Sequence, residues 1–90
     1  MKLADLKVKM LADDEVRAEY ERLGPVFDLV GEIVEARNAS GLTQAEVARR
    51  MGTTQSAVAR LESARHMPSL NFLTRYAAAL GKKIEVRVVS

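Results

Sequence analysis

The amino-acid sequence predicts a mainly α-helical protein that carries one β-strand near its C-terminal end. Two observations favour helices. Aromatic residues make up only 4% of the 90 residues, and apolar residues recur at three- and four-residue spacing along most of the chain. A third observation predicts the strand, because apolar and charged residues alternate over residues 83–88. A chain of this length has room for one small domain with a modest core.

The N-terminal part of the chain predicts two or three helices. Residues 2–12 carry an apolar stripe that predicts a short amphipathic helix, and Asp13 and Asp14 can cap a second helix that ends near residue 23. The pair Gly24-Pro25 then predicts a break, since proline lacks the amide donor, and a further helix to about residue 39. Apolar residues keep their helical spacing across this point, so one kinked helix is the alternative.

The segment from Gly41 to Glu62 carries the most local structural signals. Thr43 is placed as an N-cap, and Glu46 completes a capping box with it. We therefore expect a helix over about 43–51, which Gly52 ends in a left-handed conformation, and a second helix over about 54–63. Their inward faces would carry Val47, Ala48, Val58 and Leu61. Two short helices with this tight turn are typical of a helix-turn-helix motif.

A last helix is predicted after Pro68. Ser69 is a good N-cap, and Gly81 is a good terminator. The face of this helix would carry Leu70, Leu73, Ala77 and Leu80. We expect Met51 and Met67 to fill gaps in the core.

The C-terminal tail predicts an isolated strand. No other segment of the chain has the alternation of a second strand, and an unpaired strand leaves its backbone groups without partners. Pairing with a second copy of the chain, or with a sheet edge on another protein, would satisfy them. Ile84, Val86 and Val88 are the side chains expected at such a contact. A frayed tail is the alternative.

The helix-turn-helix pattern predicts contacts with DNA. Side chains at the start of the second helix would reach base edges in the major groove, and Gln44 at the start of the first helix would approach a phosphate. Residues 52–90 carry six basic and two acidic side chains, which suits a phosphate-binding surface. We also predict a partly buried ion pair between Arg37 and Glu62. The residues expected to contact DNA are Gln44, Thr54, Gln55, Ser56, Arg60 and Arg65.

Composition argues against several other classes of protein. The absence of cysteine excludes a disulfide framework, a thiolate zinc site and a cysteine nucleophile. His66 has no second histidine near it, so no metal or cofactor is expected, and no catalytic constellation is recognisable. No apolar run approaches membrane-spanning length, and no signal peptide is evident. We expect a cytoplasmic, soluble protein without enzymatic activity.

Residues 37–81 resemble the Cro/C1-type (XRE) helix-turn-helix family, which includes lambdoid phage repressors. The resemblance rests on Arg37, Gly41-Leu42-Thr43-Gln44, Ala48, Gly52-Thr53-Thr54-Gln55, Val58, Leu61-Glu62, Pro68 and Ala79-Leu80-Gly81. It implies a lambda-repressor-like bundle that binds DNA. It also implies base contacts from Thr54, Gln55, Ser56 and Arg60, with Gln44 and Arg37 near phosphates. Ser56 and Arg60 stand where related repressors often carry glutamine, so the resemblance does not imply a particular operator.

The layout of the whole chain resembles HigA-type antitoxins of type II toxin–antitoxin modules. The resemblance rests on DDEVRAEYERLGP at residues 13–25 and LGKKIEVRVV at residues 80–89. It implies a protein that neutralises a RelE/ParE-like (HigB-type) toxin by binding it and that represses its own operon. An acidic surface over residues 13–21 would suit a basic toxin. Leu3, Leu6, Val16 and Tyr20 would be the apolar anchors at this contact, unless they pack onto the helical core of their own chain.

These expectations divide the chain by function. Residues 1–23 form a helical extension that contacts a toxin, residues 24–81 form the DNA-binding domain, and residues 82–90 form the strand. We expect a homodimer on a palindromic operator. The first alternative is a stand-alone XRE-family regulator without a toxin. A second is an interaction adaptor that has lost DNA binding.

Overall fold

The computed structural model describes residues 14–90, without the side chains of residues 14–16, 19 and 20. This part of the chain contains four helices, and the predicted mainly helical fold is therefore confirmed. The helix expected over residues 2–12 lies outside the described residues. The helices are α1 (Asp14–Ser40), α2 (Gln44–Met51), α3 (Gln55–Glu62) and α4 (Leu70–Ala79).

Helix α1 runs without interruption through Pro25, so the predicted break at Gly24-Pro25 is wrong. Proline removes one backbone hydrogen bond, but it does not end a helix whose buried face continues on both sides. Phe27, Val30 and Ile33 lie on that face with 7%, 1% and 5% exposure, and Gly24 one turn earlier is also buried. The apolar spacing that crossed this point in the sequence was thus the stronger signal.

The core lies between α1 and the three shorter helices. Val47 and Ala48 of α2 and Val58 and Leu61 of α3 are all buried, which confirms the predicted inward faces. Leu73 and Ala77 of α4 are buried as well. Tyr76 was not predicted to lie in the core, yet its side chain has no exposed surface. Two expectations about apolar residues are wrong, because Met67 is 51% exposed and Leu70 is 55% exposed.

Local capping sets the ends of the helices as predicted. The Thr43 hydroxyl accepts the Glu46 N–H over 3.1 Å, and the Glu46 carboxylate accepts the Thr43 N–H over 3.2 Å, which completes the capping box. Gly52 ends α2 with φ of 72°. Ser69 caps α4 by accepting the Phe72 N–H over 3.0 Å. These bonds satisfy donors that a helix start would otherwise leave free.

The tail after α4 forms neither a helix nor a strand in the described structure, so the predicted strand is not present in the single chain. A strand needs a neighbour to accept and donate its backbone hydrogen bonds. Within residues 14–90, no backbone hydrogen bond joins residues 83–90 to the rest of the molecule. Ile84 is half-buried against the core, whereas Val86 and Val88 are 68% and 101% exposed.

Candidate nucleic-acid interface

Helix α3 presents a polar face that begins at its first turn. Thr54 is the N-cap rather than a residue of the first turn, and its hydroxyl accepts the Ala57 N–H over 3.1 Å. Gln55 and Ser56 follow in the first turn, and both are exposed. Thr54 can still donate its hydroxyl proton outward, because only the oxygen is used for capping.

The rotation of α3 about its own axis is determined by its buried face. Val58 has no exposed surface and Leu61 is 6% exposed, so the side chains on the other side of the helix must point away from the core. Arg60 lies four residues after Ser56, one turn further along that outer side, and is exposed. Among the residues that the structure describes, no acidic side chain pairs with the Arg60 guanidinium. Its donors therefore remain available.

The last residue of α3 anchors this helix to its neighbours. Arg37 Nε donates to Glu62 Oε2 over 2.7 Å, and Arg37 Nη2 donates to Glu62 Oε1 over 2.8 Å. The two side chains are only 12% and 9% exposed, so the predicted partly buried ion pair is confirmed. The pairing is bidentate, which is the geometry in which arginine binds a carboxylate most strongly.

Two further donors converge on the same carboxylate. The Tyr76 hydroxyl donates to Glu62 Oε2 over 2.6 Å, and Gln44 Nε2 donates to Glu62 Oε1 over 3.1 Å. Arg37 also donates from Nη1 to the Leu42 carbonyl over 2.9 Å. Residues from α1, α2 and α4 thus hold the end of α3. We call Arg37, Gln44, Glu62 and Tyr76 the Glu62 cluster.

The Glu62 cluster changes the pKa of its acidic members. Burial by itself would raise the pKa of Glu62, but hydrogen bonds from Arg37, Tyr76 and Gln44 outweigh it and hold this pKa below the ordinary value of 4.5. Burial, followed by the hydrogen bond to the Glu62 carboxylate, raises the pKa of the Tyr76 hydroxyl. Near neutral pH the carboxylate is therefore charged and the phenol keeps its proton.

The cluster engages two of the predicted phosphate contacts, Arg37 and Gln44, in hydrogen bonds to Glu62. Gln44 is half-buried and gives one amide N–H to Glu62, and the Arg37 guanidinium is largely enclosed. Their contact with phosphate remains a prediction.

Two arginines join α2 to α4 reciprocally. Arg50 Nη1 of α2 donates to the Ala79 carbonyl over 3.0 Å, and Arg75 Nη2 of α4 donates to the Met51 carbonyl over 2.6 Å. Each therefore binds a carbonyl at the C-terminal end of the other helix, where the helix dipole favours positive charge. The sequence had no signal for this exchange. Tyr76, by contrast, lies three residues after Leu73 and could have been found from helical spacing.

The loop after α3 adds positive charge beside the helix. Ala64 is buried and takes a left-handed conformation with φ of 56°. This backbone conformation turns the chain away from the axis of α3. Arg65 and His66 follow and are both exposed. An open groove of about 470 Å³ lies between α3 and this loop. It is lined by residues that include Thr54, Ser56, Arg60, His66 and Phe72.

The predicted partner contacts lie partly beyond what the structure describes. Leu3 and Leu6 precede the described residues, and Val16 and Tyr20 lie on α1 without described side chains. In residues 14–90, no group of three or more acidic, histidine or cysteine side chains could hold a metal ion. None of the helices described is both long and apolar enough to cross a membrane.

Comparison with known proteins supports the helix-turn-helix interpretation. A family model described as helix-turn-helix matches residues 33–86. An uncharacterized HTH-type transcriptional regulator from Methanothermobacter thermautotrophicus is 45% identical over 51 residues, which are 57% of this chain and 74% of that protein. No solved structure matches the chain.

A second kind of relative matches a longer stretch. Antitoxin HigA1 from two strains of Mycobacterium tuberculosis is 33% identical over 75 residues, or 83% of this chain. The chain spans 50% of the length of HigA1. The family match covers more than half of the chain and includes α2, α3 and α4 in full. The protein therefore belongs to the helix-turn-helix family of DNA-binding transcriptional regulators of the Cro/C1 type.

Proposed function

We propose that this protein binds a two-fold symmetric operator as a homodimer through α3 and represses its own operon. The observation that carries the proposal is the exposed face of α3, where Gln55, Ser56 and Arg60 project from a helix held in place by its buried face and by the Glu62 cluster. In helix-turn-helix proteins, the residues at the start of the second helix contact base edges in the major groove.

Each exposed side chain has a defined capacity for DNA. Gln55 can bind the N6 and N7 edge of adenine with its amide, and Arg60 can bind the O6 and N7 edge of guanine or a phosphate. Thr54 and Ser56 supply hydroxyl groups. Arg65 lies beside α3 in the basic part of the chain and suits a phosphate. Gln44 and Arg37 contribute chiefly by orienting Glu62 and α3, and in this proposal each also contacts a phosphate.

The test uses DNA from the promoter of the protein's own reading frame and random DNA of equal length. Arg60→Ala should weaken binding to the promoter by about 1–3 kcal/mol if Arg60 contacts a base. It should also reduce the ratio of the affinity for the promoter to the affinity for random DNA. Lys82→Ala is the matched control, because it removes the same charge from a site that faces α1 rather than α3. Equal losses on both DNAs would make Arg60 a phosphate contact, and no preference of the unaltered protein for the promoter would overturn the proposal.

We further propose that the protein is a HigA-type antitoxin, which neutralises a RelE/ParE-like toxin by direct binding. The similarity to antitoxin HigA1 supports this, because the aligned stretch of 75 residues is longer than the helix-turn-helix domain matched at residues 33–86. Residues 13–21 contain five acidic side chains and one arginine, a balance that suits a basic protein better than DNA. In this proposal the segment before residue 24 contacts the toxin.

Co-expression with the adjacent reading frame tests the antitoxin role. We expect the neighbour alone to stop growth, and the pair to restore growth and to copurify. If the product of the adjacent reading frame is harmless and forms no complex, the antitoxin role is wrong and the alternative of a stand-alone regulator is favoured. The similarity to the Methanothermobacter thermautotrophicus regulator also supports that alternative. DNA binding by α3 would be unaffected by that result.

A further inference from the structure

The tail after α4 carries a self-complementary pattern. Over residues 84–88, the apolar side chains lie at the even positions, Ile84, Val86 and Val88, and the charged side chains Glu85 and Arg87 lie between them. Glu85 and Arg87 contact each other over 3.5 Å while 75% and 79% exposed, as expected for residues two apart on one side of a chain. The even positions begin at Ile84, which packs against the core, and continue to the exposed Val86 and Val88.

From this pattern we propose that the tails of two copies pair as antiparallel strands with Val86 on the two-fold axis. The inference rests on the homodimer of the proposed function and assigns its contact. In this register Ile84 lies opposite Val88 of the partner subunit, so the apolar residues share one side and extend the core. Glu85 lies opposite Arg87 of the partner subunit on the other side, where opposite charges stabilise a cross-strand pair.

Other registers are disfavoured by charge or by burial. A shift of one residue places apolar side chains opposite charged ones. A shift of two residues in one direction places Glu85 opposite Glu85 of the partner subunit, and a shift of two in the other direction places Arg87 opposite Arg87 of the partner subunit. A parallel two-fold pairing creates both of these like-charge pairs. Like charges directly opposite each other destabilise a sheet. The register centred on Val86 also gives backbone partners to residues 83–90, which make no backbone–backbone hydrogen bond within residues 14–90.

Single cysteines test the register, because the chain has none of its own. Two residues at position 86 face each other across the axis, within the reach of a disulfide. Two residues at position 88 are offset by four residues, or about 14 Å, which is too far. We expect V86C to cross-link readily on oxidation and V88C, the matched control, to remain mostly uncross-linked. Equal cross-linking of both, or none in a protein that still dimerises, would overturn the pairing.

Charge exchange gives an independent test in solution. E85R and R87E each turn both cross-strand charge pairs repulsive, and each should raise the dissociation constant of the dimer about tenfold. An equal mixture of the two variants should recover a dimer close to the unaltered one, since the introduced arginine of one subunit then faces the introduced glutamate of the other. Sedimentation equilibrium measures the dissociation constants of the two variants and of their mixture. A monomeric unaltered protein, or single variants that dimerise normally, would overturn the proposal, whereas the Arg60→Ala experiment reports on DNA contact separately.

Discussion

The carboxylate of Glu62 joins α3 to the other three described helices. Its carboxylate accepts hydrogen bonds from three other helices, and the groups that donate to it are largely removed from water. Removing one partner from such an arrangement leaves the others desolvated without compensation. The orientation of α3 therefore depends on a residue that lies behind the proposed DNA-binding face.

Glu62→Ala should lower the free energy of unfolding by about 3 kcal/mol, because Arg37 is left as an enclosed charge without its counter-ion. Urea unfolding followed by circular dichroism measures the change. Glu35→Ala is the control, since it removes an exposed carboxylate from α1 and should change stability by less than about 0.5 kcal/mol. Equal effects of the two substitutions would contradict the structural role of Glu62.

The lowered pKa of Glu62 predicts how stability depends on pH. Because the pKa in the folded protein lies below the ordinary 4.5, the charged carboxylate stabilises the fold above that value. This contribution is lost as the pH falls through the folded-state pKa. Urea unfolding at a series of pH values from about 7 to about 3 should show the advantage of the unaltered protein over Glu62→Gln shrinking at the acidic end. A difference independent of pH would contradict the assignment.

Sequence spacing was enough to pair Arg37 with Glu62, because both belong to a motif with a known layout. It did not identify Gln44 and Tyr76 as further partners of the same carboxylate. Their approach depends on how α2 and α4 pack against α3, and sequences far apart in the chain carry no local signal for that distance. The exchange between Arg50 and Arg75 was missed for the same reason.

Among the helices, those with complete capping signals were predicted within about one residue. Thr43, Gly52 and Ser69 act through hydrogen bonds or backbone conformation within a few residues, so neighbouring sequence is sufficient to place them. Helix α1 shows the limit of local signals. Pro25 predicts a break, but the burial of Phe27 and Val30 on the continuing face maintains the helix.

Pro25→Ala should stabilise the protein by about 1–3 kcal/mol, since alanine restores a backbone donor inside α1 and removes the clash of the proline ring. Pro25 is exposed, so the substitution loses little packing. Thermal unfolding measures the gain. Asp28→Ala, at another exposed position of α1, controls for helix propensity and should raise stability by less. A destabilised Pro25→Ala protein would indicate that the chain needs a turn at this point.

Along the chain, positive charge is concentrated in residues 52–90, which contain six basic and two acidic side chains. The structure divides these basic residues by role. Arg75 is bound to a carbonyl of α2, whereas Arg60 and Arg65 are exposed along and just after α3. The proposed phosphate contacts therefore form a smaller set than the net charge suggests.

Arg65→Ala should weaken binding to promoter and random DNA alike, and it should reduce the slope of log affinity against log salt by about 1, because one fewer counter-ion is released. Fluorescence anisotropy at several salt concentrations measures the slope. Lys82→Ala, the same loss of charge on the side of α1, should leave the slope unchanged. An unchanged slope for Arg65→Ala would place Arg65 away from the phosphates.

Local order in the chain was enough to establish the helical class, the N-caps of α2 and α4, and the residues of α3 that point outward, because each depends on neighbours within a few residues. The continuity of α1, the convergence of four side chains in the Glu62 cluster and the lack of strand structure over residues 83–88 depend on contacts between distant segments. A helix closes its hydrogen bonds within itself, whereas a strand requires a second strand. The tail therefore kept its alternating sequence and remained without secondary structure.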